Sequence, residues 1–474
     1  MLDIAGPIIG TLIGSGFLFL VSFGIYISTV KFDSRSIYKV HIAMMTTFED
    51  VKAVSDRKVL FTLSNTAYPY ANTLRRGIMT LVPTVGFRTN LVGSVTEGSD
   101  ISVIANDSHT QPNELLMHRI SLVPIHTQHI QAFDPERYEF RLIVENNSSE
   151  IIDVTASNIK VFEKRKGADL SETFVEIRAK DFFVPNPKTG DTCLITTMPA
   201  KRTSLVPTLS VVMKASFGSG KEHARFIPTS QASYGYTLDK NTERRKAYFE
   251  KWLITHKNVE PVSLEQDEAR FEALDAEFKT MQIQRIFKVD EKGDPNSFDF
   301  QIETIGTIPP RAVVERALQS LIRLCEPFVG LDSGDLPERI SVVPSDAQLP
   351  GFDFLIQGED HTFGNMIQTW LVDNHVDGEA MPRISFAGYK IPHPLKDEML
   401  LRIGVDDGNE VTARTAIAVA ARGCKAMFQE WLRLWQGGAP RAALAVAAPM
   451  TSASLKRTLG KSKTAIATKP VGGP

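Results

Sequence analysis

Apolar and polar residues alternate from Val59 to Leu63, the two-residue period of a half-buried strand. Past a loop holding Pro69 the period lengthens. Leu74, Ile78, Leu81 and Val82 recur at i, i+4, i+7 and i+8, which predicts an amphipathic helix from Asn72 that Pro83 ends. Arg75 and Arg76 lie off that stripe. The same order returns far along the chain, where an apolar strand, Phe352 to Ile356, precedes the acidic pair Glu359-Asp360. Met366, Ile367, Trp370 and Leu371 then mark one buried helical face. Gly364 lets a neighbour approach the start of that helix closely, and Asn365 is a polar group that needs partners in an apolar setting.

Short strand-like runs fill Leu91 to Ser233, with Tyr138–Val144 and Leu205–Lys214 alternating most clearly. Met117 to Ile125 reads as a helix end entering a strand. Residues 240–285 are charged and helix-rich, with a break at Pro261. Phe298 to Ile305 is a strand, and Pro309-Pro310 opens a helix striped by Val313, Ala317, Leu321, Leu324 and Cys325. Gly330 to Gly351, rich in Gly, Asp, Ser and Pro, reads as a linker. A strand from Met399 to Val405, a turn at Asp406–Asn409 and a long helix through Ile417, Cys424, Met427, Trp431 and Trp435 follow. Two strand-loop-helix units, each with an apolar face and each closed by a long helix, can bury those faces against each other about a pseudo-twofold axis.

Composition narrows the function. The 474 residues hold 43% hydrophobic and 23% charged side chains, those of an ordinary globular protein with room for two or three domains. A net charge of -2 argues against a body that grips nucleic acid. Six Lys or Arg and no acid lie between Gln436 and Pro474, a tail that reads as disordered and solvated, with salt-sensitive DNA contact as the rival reading. Cys193, Cys325 and Cys424 are too dispersed for a zinc site or a disulfide framework, which suits a reducing compartment. Ile4 to Val30 has 27 residues without a charge, and two readings stay open: a membrane anchor with the body cytoplasmic, or an extension upstream of a start near Met45. Phe217-Gly-Ser-Gly-Lys fails as a phosphate loop, because Ala215 stands where the first glycine belongs and Glu222 where Ser/Thr would hold magnesium. The acidic doublets Glu359-Asp360 and Asp406-Asp407 fall in a docking motif and a turn, so no catalytic constellation is visible.

Glu359-Asp-His-Thr-Phe-Gly-Asn365 with Phe386-Ala-Gly-Tyr-Lys-Ile-Pro-His-Pro-Leu395 resembles the eleventh subunit of eukaryotic RNA polymerase II and the archaeal L subunit. The upstream half resembles the third subunit and archaeal D, through Ala71-Asn-Thr-Leu-Arg-Arg-Gly77, His118-Arg-Ile-Ser-Leu-Val-Pro-Ile125, Gly220-Lys-Glu-His-Ala-Arg225 and Glu303-Thr-Ile-Gly306. The resemblance implies an α+β fold: two dimerisation units like the bacterial alpha subunit, fused in one chain, with a mostly β domain inserted in the first. It divides the chain into an apolar segment (1–44), a first dimerisation domain (45–93 with 232–329), the insert (94–231), a linker (330–349), a second dimerisation domain (350–435) and the basic tail (436–474).

The implied function is a non-catalytic assembly platform of DNA-directed RNA polymerase, similar to the fused arrangement of some large DNA viruses. A membrane-anchored scaffold on the same fold is the alternative. The implied partners are the two largest subunits and small zinc-binding subunits, with DNA met only through the complex. The expected location is intracellular, in the host cytoplasm, nucleus or virion if viral. The internal pairing surface is expected to use Asn72, Leu74, Ile78, Leu81, Glu359, Asp360, Gly364, Asn365, Ile367, Trp370, Leu371, Ile417, Met427 and Trp431. Arg75, Arg76, Lys221, Glu222 and His223 are expected to face the large subunits. Many third subunits carry a cysteine cluster in the insert; this one has only Cys193 there, so neither metal nor cofactor is expected.

Overall fold

A hairpin of β1 (Thr47–Ser55) and β2 (Lys58–Ser64) feeds helix α1 (Tyr68–Thr80). The chain then leaves on β3 (Pro83–Gly86) to build the insert: β4 (Ile101–Asn106), α2 (Asn113–Ser121), β5 (Tyr138–Glu145), β6 (Ile152–Thr155), β7 (Ile159–Lys166), β8 (Glu172–Ile177), β9 (Leu194–Met198) and β10 (Thr208–Met213). It returns on β11 (Ser216–Ser219), which pairs with β3, and enters β12 (Thr229–Tyr236). A helical excursion, α3 (Thr242–Trp252) and α4 (Glu268–Met281), precedes β13 (Ser297–Thr304) and α5 (Pro310–Cys325). The last part is β14 (Ile340–Pro344), β15 (Gly351–Gln357), α6 (His361–Leu371), β16 (Phe386–Lys390), β17 (Glu398–Gly404) and α7 (Glu410–Trp435). This computed structural model describes residues 46–89, 99–108, 111–127, 133–166, 172–202, 204–264, 267–345 and 350–437. The apolar segment 4–30 and the basic tail beyond 437 lie outside the described residues.

The two halves repeat one topology. The first sheet runs β1-β2-β13-β12 and the second β14-β15-β17-β16, each antiparallel and each with its helices after the second and the last of its four strands in chain order. Central strands bury alternate residues, as the two-residue period requires: Val59, Phe61 and Leu63 on β2, Met399, Leu401 and Ile403 on β17. Register confirms the equivalence, with Phe61 opposite Phe300 in one sheet and Phe354 opposite Leu401 in the other. Both halves contribute to a single core, from Val59 and Leu74 to Ile367, Ile417 and Trp431. The insert has a separate core around Phe140, Leu142, Val161 and Leu209, and the helical excursion a small one around Trp252 and Phe278.

Four expectations need correction. The expected linker is partly sheet: β14 lies within 330–349 and pairs along β15, Val342 opposite Phe354, so it is the repeat's first strand. Its signal was hidden because Ile340-Ser-Val-Val-Pro is a short edge strand flanked by turn residues. The helices start earlier than Asn72 and Asn365. Pro69 sits inside the first turn of α1, where a missing N–H costs nothing, and Asp360 caps α6 by accepting the Thr362 N–H at 2.6 Å. Residues 122–127, after α2, form no strand; the chain turns at Leu122 and runs on irregularly to Thr127. The insert also starts earlier than residue 94, since Val85 and Phe87 belong to its core.

Candidate assembly interface

The seam between the halves is built by α1, α5, α6 and α7. Where α1 meets α6, Tyr70 and Trp370 pack edge to face, ring centroids 6.3 Å apart. The indole of Trp370 also packs against α7 at Gly423, where a Cβ would stand 2.1 Å from Cζ2. Glycine there is a requirement of packing. Beside this apolar contact, Arg76 donates to Thr362 Oγ1 at 2.8 Å and to Asp360 at 3.2 Å, joining α1 to the N-terminus of α6. Burial opposes ionisation of Asp360, but hydrogen bonds from Thr362 and the charges of Arg76 and Lys221 hold its carboxyl below the ordinary value.

The far end of α7 reaches the first sheet. Phe48 on β1 contacts Trp431 at 6.2 Å and Trp435 at 5.2 Å, and Trp435 packs on Phe61, itself stacked on Phe300 at 4.9 Å. Trp435 donates its indole N–H to the Arg311 carbonyl at 3.0 Å while the Arg311 guanidinium covers the ring. The segment between α5 and β14 is held to α7 by Arg414, which donates to the Leu331 and Gly334 carbonyls, and by Arg422, which bonds Val329 and Asp332. Phe328 stacks on Phe363 at 4.2 Å, with Arg339 above the Phe328 ring and in an ion pair with Glu359 at 3.0 Å. Burial pushes the Glu359 carboxyl up to about 7 despite Arg339 and Lys221. Each buried aromatic removes about 150–250 Å² of surface from water, worth several kcal/mol at about 25 cal/mol per Å². A part-exposed ion pair contributes about 0–1 kcal/mol. The aromatics therefore hold the seam, and the charged pairs fix its register.

Leu74, Ile78, Ile367, Leu371, Ile417 and Trp431 all fall in the shared core, and Leu81, Trp370 and Met427 pack partly buried against it. Gly364 serves its own half: a Cβ would meet Tyr389 at 2.4 Å and Met399 at 2.6 Å. Asn72 accepts from Arg75 within α1, and no side-chain hydrogen bond of Asn365 is present among the described residues, so the two asparagines form no polar bridge. Two residues expected to face outward are occupied inside the chain. Arg76 bonds Asp360 and Thr362, and Lys221 donates to the Gly358 carbonyl and pairs with Asp397 at 3.7 Å. Glu222 pairs with Arg88 at the insert's base, His223 accepts from the Arg225 N–H, and Arg75 bonds Asn72 and Met79 within α1.

Tyr70, Phe48, Phe328, Phe363, Gly423 and Arg339 were missed. Phe363 lies within the quoted motif, and Gly423 stands out as a glycine in the middle of a long helix. Phe48 and Arg339 leave no local signal. Among the described residues, no group of three or more His, Cys, Asp or Glu is placed to share a metal ion. No helix among the described residues is long and apolar enough to cross a membrane.

The family described as "RNA polymerase Rpb3/Rpb11 dimerisation domain" matches residues 60–325 in one form and 352–433 in another. The chain is similar to DNA-directed RNA polymerase II subunit RPB3 of Schizosaccharomyces pombe, 24% identical over 279 residues, covering 57% of this chain and 82% of the relative. It is also similar to DNA-directed RNA polymerase subunit Rpo3 of Methanobrevibacter smithii, 22% identical over 60% of this chain and 98% of the relative. Over 86 residues it is 36% identical to the probable DNA-directed RNA polymerase II subunit RPB11 of Caenorhabditis elegans, covering 18% of this chain and 63% of that protein. Two copies of one strand-helix topology closing on one core, each matched by the same description, make this chain a member of the RNA polymerase Rpb3/Rpb11 dimerisation-domain family.

Proposed function

We propose that this chain is the non-catalytic assembly subunit of a DNA-directed RNA polymerase, a third-subunit-like and an eleventh-subunit-like half fused and paired internally. The core shared by the two repeats is the observation that supports it most directly, because each half leaves an apolar helical face that only the other covers. Its platform recruits the two largest subunits and small zinc-binding subunits; DNA is met only through the complex. Arg75, Glu222 and His223 remain the outward contacts from the original set. The fused arrangement, similar to that in polymerases of some large DNA viruses, and the dispersed cysteines support a reducing intracellular compartment of cells infected by such a virus, where the chain should be found in purified virions. Its absence there would remove the viral reading.

The membrane-scaffold reading rests wholly on residues 4–30. Mass measurement of the mature N-terminus with membrane fractionation tests it; a chain starting near Met45 in the soluble fraction ends it. For the main proposal, affinity purification of the tagged chain should bring down two very large subunits with template-directed nucleotide transfer, while the chain alone transfers none. Activity in the isolated chain, or no large partner, would overturn the assignment.

A further inference from the structure

An open groove of about 320 Å³ lies where the two halves meet. Leu81 and Pro83 at the end of α1, Leu324 on α5 and Pro327 just after it form its apolar walls. Its polar elements are unequal. Arg323 is exposed and bonded only to Ser320 of its own helix, at 2.9 Å, with no carboxylate partner among the described residues. Arg339 gives one arm of its guanidinium to Glu359, while its buried Nη2 has no acceptor among the described residues. Glu359 is the one acid on the lining, already engaged by Arg339. Two cations against one committed carboxylate leave a net positive groove with apolar walls.

We propose that this groove receives an extended segment of one of the two largest polymerase subunits, bearing a carboxylate that bonds Arg323 and the free Arg339 arm, and an apolar neighbour seated between Leu81 and Leu324. This deepens the assembly reading and rests on it. A planar guanidinium with an open N–H matches a carboxylate in two-pronged fashion. A phosphodiester fits less well, because four apolar wall residues offer it nothing. The apolar walls and Arg323 come from the first half and Arg339 and Glu359 from the second, so the groove is complete only when the halves are paired and the segment would read correct pairing.

The test uses the full chain co-expressed with the two largest subunits of the same organism. A photo-crosslinking phenylalanine analogue at Leu324 should label a large-subunit peptide with Asp or Glu within a few residues of the attachment point. Arg323→Glu should weaken association by at least about tenfold, with thermal stability unchanged because the side chain is exposed, and reversal of the crosslinked acid to Lys should restore it. Crosslinking to nucleic acid, to a peptide without an acid, or to nothing while the large subunits still co-purify overturns the groove and leaves the assembly role standing. Association of Arg323→Glu at wild-type strength does the same. Failure of the unaltered chain to associate at all removes the assembly role itself.

Discussion

At Gly423 two effects oppose each other. Replacing a mid-helix glycine by alanine ordinarily stabilises by about 1 kcal/mol. Here the new methyl would stand 2.1 Å from the Trp370 indole, which packs between Tyr70 of α1 and α7. Overpacking of that kind costs about 1–3 kcal/mol, so Gly423→Ala should lower the melting temperature; an unchanged or raised value would refute the wedge. Glu359 makes a second case. Its ordinary pKa is 4.5 and burial lifts it to about 7, so between those values the folded state holds more protons than the unfolded one. The stability it contributes is full below about 4.5 and lost as pH rises to about 7. Melting temperature measured from pH 4.5 to 7 should therefore fall more steeply in the native chain than in Glu359→Gln; parallel curves would refute the shift. Residues of this type were half legible. The sequence marks Glu359 as part of an acidic pair, yet nothing local distinguishes it from Asp360, which the fold drives the opposite way.

Among elements, α6 was the most readable and β14 the least. The α6 stripe of Met366, Ile367 and Leu371 is fully buried as its spacing requires. Trp370, one position off the centre of that stripe, is the residue that spans to both α1 and α7. Trp370→Asp would place a charge against Tyr70 with no cation provided for it, at a cost of about 3–5 kcal/mol. Loss of cooperative unfolding, or separation of the halves after proteolytic nicking, is the expected outcome, and a variant as stable as the native chain would show that α6 is not the pairing helix. By contrast β14 has only five residues, one of them proline, and reads as sheet only once β15 is beside it.

For the molecule as a whole, the shared core makes the covalent connection secondary to packing. Ser333 to Asp335 are exposed between α5 and β14. A protease site inserted there and cut in the folded protein should leave two fragments that co-elute without denaturant and separate only when the core melts. Tethering still matters during folding, since it turns a bimolecular encounter into an intramolecular one with an effective concentration of order millimolar. Fragments that part on cutting would mean that the seam is held by the chain and not by its aromatics. Strand and helix periods, the paired half-units and the family motifs were determined by sequence alone, because each is written in the spacing of near neighbours. What only the tertiary structure decided is where side chains off the stripe go. Arg76, off the apolar stripe, reads as a cation facing a large subunit, and its partner is a carboxylate of the same chain 284 residues away. Spacing within a helix carries no information about a charge that another part of the chain brings to it.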